Sequence, residues 1–227
     1  MLLLFDIDGT LVQKASAEHA AAVLAALHDV YGVAEPPAAK LDAAGRTDIE
    51  IARRLLLLSD VNARTIDARL GDFRAAAVRH YARLVPDDLS GLVAPGIGAL
   101  LERLAAGDQH RLSLVTGNLE PIARLKLRAA GLGRYFPVGQ GGFGSDHEDR
   151  SELPAIARAR AGAGDGRPWP REQTVVIGDT PRDIACARAD GVRCIAVTTG
   201  PYGRDDLLGA DAVAGGAEQL AELLDAT

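Results

Sequence analysis

Two carboxylates, Asp6 and Asp8, stand two residues apart at the end of an apolar run over residues 2–6, and Gly9 and Thr10 follow them. A second polar group, Thr116-Gly117-Asn118, closes the apolar run 112–116. A third, Gly178-Asp179-Thr180, closes the run 174–178, with Asp183 one helical turn further on. Ligands of open α/β sheets bind at the carboxyl ends of the strands. If these runs are strands of one sheet, Asp6, Asp8, Thr116, Asp179 and Asp183 share one crevice. Four carboxylates gathered there repel one another by several kcal/mol at intermediate dielectric, so the crevice requires a compensating cation. Mg²⁺ suits a site with two carboxylates, waters and a phosphate. A lone Asp-x-Asp behind a strand is commonly a turn or a helix cap. The weight lies in three polar clusters at three strand ends, each followed by a helical pattern.

The elements that must position these groups fall into two textures. Residues 14–86 read as wholly helical. Ser16 is the expected cap of a helix with apolar positions at Ala20, Val23, Leu24, Leu27 and Tyr31 and a stop at Gly32. Thr47 and Glu50 have the spacing of a capping box for a helix through Leu58. Asn62 caps a third helix toward Leu84, with Gly71 as its weak point and Pro86 beyond its end. After Pro95-Gly96, strand runs 112–116, 174–178 and 193–197 alternate with helical patterns at 97–106, 120–130, 152–161, 181–189 and 216–225. That alternation predicts an α/β fold, a parallel sheet with helices on both faces. The first strand belongs with the later ones, and residues 14–86 form an all-helical insertion between them. The turn-rich stretch 162–170 reads as a loop, with Trp169 as a lid on the core.

Composition bounds the function. The chain has 227 residues, 48% of them apolar, enough for a sizeable core. A formal net charge of -6 argues against nucleic-acid binding. Lys14, Lys40 and Lys126 are the only lysines. Cys186 and Cys194 read as small buried hydrophobes rather than a disulfide framework. Asp6 interrupts the leading Leu run, so neither a signal peptide nor a membrane span is expected, and the expected compartment is the cytoplasm. Monomer and homodimer both stay open.

DIDGT at 6–10, VTGN at 115–118 and GDTPRD at 178–183 resemble the motifs of the haloacid dehalogenase-like superfamily of phosphoryl-transfer enzymes. GRTD at 45–48 and GQGGFGSD at 139–146 resemble its phosphoglycolate-phosphatase-like branch. The resemblance spans the whole chain. It implies a Rossmann-like catalytic core of residues 1–13 and 87–227 and a helical cap of residues 14–86, with hinges near 12–16 and 85–95.

By that resemblance Asp6 is the nucleophile that takes up the phosphoryl group as an aspartyl-phosphate. Asp8 is the acid and base that protonates the leaving oxygen and then activates water. Asp6, the backbone carbonyl of Asp8, and Asp179 hold Mg²⁺, with Asp183 close by or acting through water. Thr116 and the backbone around Gly117 and Asn118 bond phosphoryl oxygens, with Gly9 and Thr10 beside them. The family commonly places a lysine before the helix that precedes the third motif. Here the neighbourhood reads Asp146-His147-Glu148-Asp149-Arg150-Ser151, so Arg150 is the first candidate for the cation and Lys126 the rival. Arg46, in the cap loop, is the expected substrate contact. His19, His28, His80 and His110 read as surface or structural residues.

The implied activity is Mg²⁺-dependent hydrolysis of a small phosphorylated metabolite. A phosphosugar mutase on the same fold, or a non-catalytic protein binding a phosphate ligand, are the alternatives. A phosphonatase needs a cap lysine, for which Lys40 is the only candidate in the cap proper, Lys14 standing at its first residue.

Overall fold

The computed structural model describes residues 1–14, 17–38 and 41–226. Ser16, the expected cap, and Lys40 lie outside the described residues. Strand β1 (Leu2–Phe5) is followed by α1 (Ala17–Tyr31), α2 (Asp48–Leu58) and α3 (Ala63–Leu84). Then come α4 (Ile97–Ala105), β2 (Arg111–Thr116), α5 (Glu120–Ala129), β3 (Gly142–Phe143) and α6 (Leu153–Ala161). The chain closes with β4 (Thr174–Gly178), α7 (Pro181–Asp190), β5 (Arg193–Val197), β6 (Ala212–Ala214) and α8 (Ala217–Asp225).

The six strands form one sheet in the order β3-β2-β1-β4-β5-β6, and every pairing is parallel. This is the α/β fold with a helical insertion after β1 that the alternation predicts. Leu2 pairs with Arg111 on one side and Thr174 on the other, and Phe5 with Leu114 and Ile177. The carboxyl ends of β1, β2 and β4 therefore lie within two residues of one another, β4 running one residue and β2 two past Phe5. The chain order reverses at β1, which opens the crevice of a doubly wound sheet at that end.

Strand alternation divides the core. Leu3 and Phe5 of β1 face a layer with Leu101, Leu127 and Leu220 from α4, α5 and α8. Leu2 and Leu4 face the opposite layer with Leu153, Ala157 and Ala187 from α6 and α7. Both cysteines are free and buried, Cys186 on α7 and Cys194 on β5. Trp169 packs against the second layer, with the Arg111 guanidinium 5.8 Å from its ring centroid. The inserted helices have their own core: Val23, Leu27, Ile49, Leu55, Ile66, Phe73 and Tyr81. Leu119 and Ile122, beside and on α5, belong to that cluster too, so the insertion is seated on α5.

Local signals place most helix ends. The side chains of Thr47 and Asn62 accept the backbone N–H of Glu50 and Thr65 at the starts of α2 and α3. Only half of the expected capping box forms at Thr47, because the Glu50 carboxylate turns to Arg46 and Arg54 instead. Helix α3 runs through Gly71 without a break, since the amphipathic face that it buries outweighs one weak residue. Two strands escape the sequence reading, β3 with 2 residues and β6 with 3. Neither is long enough to carry a periodic signal.

Candidate active site

The apolar register of β1 ends at Asp6, whose N–H continues the ladder to the Ile177 carbonyl at 2.8 Å. Its carboxylate is buried. Arg150 comes from a 3₁₀ turn just before α6, and its Nη2 donates to Asp6 Oδ1 at 3.1 Å. The same nitrogen donates to Asp183, and Nη1 donates to the Gly45 carbonyl at 3.1 Å. One buried guanidinium thus ties two core acids to the inserted segment.

Asp179 lies beside Asp6 at the end of β4. Thr10 Oγ1 donates to Asp179 Oδ1 at 3.0 Å. Gly9, at φ +87, is a position that only glycine fills without strain, and a Cβ there would overlap the Asp179 carboxylate. A Cβ at Gly200 would overlap it as well. Asp183 sits at the start of α7, where it and Thr180 form a reciprocal capping box. Carboxylate oxygens of Asp6, Asp179 and Asp183 all lie within 4.8 Å of one another.

Burial pushes Asp6 up to about 7, with Asp183 and Asp8 adding repulsion against the attraction of Arg150. Burial likewise pushes Asp179 up to about 8, with Asp6 and Asp183 adding to it. A cluster of hard oxygen donors whose ionised form is this unfavourable suits a small divalent cation. Asp6, Asp179 and Asp183 are the side chains here that could hold one.

Asp8 occupies a different environment. Lys126, on α5, is 0% exposed and donates Nζ to both Asp8 oxygens at 2.6 and 2.7 Å. Asn118 Nδ2 donates to Asp8 Oδ2 at 2.8 Å and to Thr116 Oγ1 at 3.0 Å. The Asp8 side chain stays 29% exposed. Burial works to raise its pKa, but Lys126 and Asn118 outweigh burial and hold it below the usual carboxylate value. The two expected cations are therefore divided: Arg150 faces Asp6, and Lys126 faces Asp8.

Lys126 also meets His19 Nδ1 at 3.0 Å, and His19 Nε2 lies 3.1 Å from Asp48 Oδ2. A carboxylate only accepts, so the proton sits on Nε2 and leaves Nδ1 free to accept from Lys126. Asp48 in turn accepts the Leu119 N–H at 2.7 Å. His19 is buried and paired through both ring nitrogens, so of the two readings, surface or structural, it takes the structural one. Its place one turn before Ala22 and Val23 on the apolar stripe of α1 is the signal that could have found it. His80 is paired too, with Asp29 at 2.7 Å.

The inserted loop meets the second motif backbone to backbone. Asp48 N–H donates to the Gly117 carbonyl at 2.8 Å. A Cβ on Gly117 would overlap the Arg46 carbonyl. Arg46 lines the crevice, with Nη1 bonded to Glu50, Nε donating to the Asp42 carbonyl at 2.8 Å, and Nη2 left without a bond among the described residues. The crevice has a volume of about 650 Å³ and is floored by Asp6, Asp8, Asn118, Arg150 and Asp179. Among the described residues, no helix is long and apolar enough to cross a membrane.

A family model described as haloacid dehalogenase-like hydrolase matches residues 3–188. The chain is 31% identical over 218 residues to a phosphoglycolate phosphatase of Rhodospirillum rubrum, covering 93% of this chain and 85% of that one. It is 29% identical over 211 residues to a probable phosphatase, IndB, of Dickeya dadantii, covering 92% and 86%. Among solved structures, a β-phosphoglucomutase of Clostridium difficile superposes with a TM-score of 0.72 over 99% of this chain and 95% of that one. At 16% identity that likeness speaks for the fold alone.

Proposed function

Because the chain belongs to the haloacid dehalogenase-like hydrolases and the relatives that match over nine tenths of it carry phosphatase names, we propose that it hydrolyses a small phosphorylated metabolite through an aspartyl-phosphate on Asp6. The observation that carries this reading is the division of the two acids. Asp6 sits with Arg150 in a buried acidic cluster, and Asp8 sits apart on Lys126. A nucleophile cannot also shuttle the proton, and two such different environments support giving the two tasks to different acids.

Asp6 attacks phosphorus while the bond to the leaving oxygen breaks, and that oxygen takes its proton from Asp8. Asp8 then removes a proton from water. The water oxygen attacks the phosphoryl group, the bond to Asp6 breaks, and inorganic phosphate leaves. An incoming phosphate adds negative charge beside Asp8 and favours its protonated form for the first step. Lys126 favours the ionised form needed for the second.

Thr116, Asn118 and the backbone at Gly117 hold phosphoryl oxygens, with Gly9 and Thr10 shaping the turn around them. Arg150 is the cation at the nucleophile, and Lys126 is a positioning residue for Asp8. Mg²⁺ held by Asp6, Asp179 and Asp183, with the Asp8 carbonyl, supplies neutralisation of phosphoryl charge when bound. Residues 14–86 act as the cap over a core of residues 1–13 and 87–227.

The test is phosphate release from a panel of small phosphate monoesters, with Mg²⁺ or with EDTA, by the native chain and by Asp6→Asn. Release that needs Mg²⁺ and vanishes in Asp6→Asn supports the reading. A folded, Mg²⁺-supplied protein that releases no phosphate from any ester overturns it.

A further inference from the structure

The floor and the roof of the crevice differ in chemistry. The floor carries the acids, Asn118 and Arg150. The roof is contributed by the inserted helices: Ala20, Val23 and Leu24 of α1, Ile51 and Leu55 of α2, and Leu41 before it. Val23 and Leu55 are buried in the cap core, but Leu24, Leu41 and Ile51 are only partly covered and stand against the cavity.

Most polar groups on that side are already engaged, Arg46 Nη2 being the exception. His19 is held between Lys126 and Asp48. Asp48 is held by the Leu119 N–H and His19. Arg46 is held through Nη1 by Glu50 and through Nε by the Asp42 carbonyl, which leaves Nη2 as its one nitrogen unbonded among the described residues. Lys14 also lines the cavity, but its residue is exposed, at the solvent side. A leaving group with several hydroxyls, or a short one ending in a carboxylate, would lose water above the floor and meet few free partners. Such desolvation is costly. An apolar leaving group would cover Leu24, Leu41 and Ile51 and gain from it. At about 650 Å³ the cavity also falls in the range that encloses a ligand well above two carbons in size.

We infer that the physiological substrate is a phosphate monoester whose leaving group carries an alkyl or aryl body, an inference that rests on the phosphatase reading above. Phosphate and the acids meet at the floor. The hydrocarbon body lies under α1 and α2. Any second charge sits at the mouth, within reach of Lys14.

The experiment is a series of n-alkyl phosphates from methyl to hexyl, with phosphoglycolate and glycerol phosphate alongside, assayed in Mg²⁺. Each added methylene is expected to raise kcat/KM by about fourfold until the cavity is filled, and both polar esters should fall below the propyl ester. Leu24→Asn and Ile51→Asn, two variants on different helices, should each reduce the hexyl-to-methyl ratio by about fivefold or more. The ratio cancels any general loss of folded enzyme. A series that stays within twofold from methyl to hexyl, or a preference for phosphoglycolate or glycerol phosphate, overturns the inference while leaving the phosphatase reading intact. If no ester is cleaved, the phosphatase reading fails. The affinities of methyl- and hexylphosphonate, which cannot be hydrolysed, then decide the cavity: equal affinities overturn the inference, and much tighter hexylphosphonate supports it.

Discussion

Replacing Lys126 by Met separates the roles of the two acids. The substitution keeps the apolar length of the side chain and removes the ammonium that contacts both Asp8 oxygens and His19. Breaking a fully buried ion pair costs about 3–5 kcal/mol, most of it from the partner left behind. Asp8 keeps the Asn118 bond and is 29% exposed, so the cost falls at the lower end, about 3 kcal/mol. For a chain of 227 residues that is a drop in Tm of about 6–12 °C. General acid–base catalysis is worth about 10²–10⁴ in rate, and a loosened Asp8 should forfeit about 10–100-fold of it. The loss should be concentrated on alkyl esters, whose leaving oxygen needs a proton. Aryl esters with acidic leaving groups should lose about threefold or less in their first step. The assay is single-turnover phosphoryl transfer to Asp6 from one alkyl and one aryl phosphate, beside thermal unfolding. Equal losses on both esters would refute the positioning role, and an unchanged Tm would refute the argument from the buried pair.

The acidic cluster predicts a pH-dependent stability in metal-free protein. Asp6 and Asp179 are raised in the folded state, to about 7 and 8, so their contribution is fully present below the unfolded carboxylate value and is lost as pH rises through that window. In EDTA, Tm should fall between pH 6 and 8.5, and saturating Mg²⁺ should raise Tm most at the alkaline end; a cation effect independent of pH would count against this. Arg150→Met leaves Asp6 and Asp183 without their cation and should cost about 3–5 kcal/mol, partly recovered on acidification. Thermal unfolding at pH 5.5 and 8 checks it, and an equal loss at both would contradict the argument. Arg158 meets both Asp190 oxygens at 2.6 and 2.7 Å in a buried pair remote from the crevice. Arg158→Met should therefore lower Tm at unchanged kcat/KM for the folded fraction, and a change in KM would show that the pair reaches the site.

What could be read from the chain itself was short in range. Apolar runs ending in Asp6, Thr116 and Asp179 are strands because their pattern and their turn residues are local. Their alternation with helices required a parallel sheet, and with it one crevice for the three polar clusters. The helical insertion was legible for the same reason: Thr47 and Asn62 cap their helices through bonds three residues long.

The tertiary structure decided which charge meets which. Arg150 reaches Asp6 across 144 positions of the chain, and Lys126 reaches Asp8 across 118. No local pattern distinguishes those pairings from their exchange. His19 and Asp48 became a bonded pair only because α1 and α2 pack over α5, which turns the start of an apolar stripe toward a buried lysine. The strand order and the short β3 and β6 come from packing as well. Residue type and spacing determined what chemistry the chain carries. Long-range burial, where an unpaired charge is most costly, determined which cation Asp6 and Asp8 each meet.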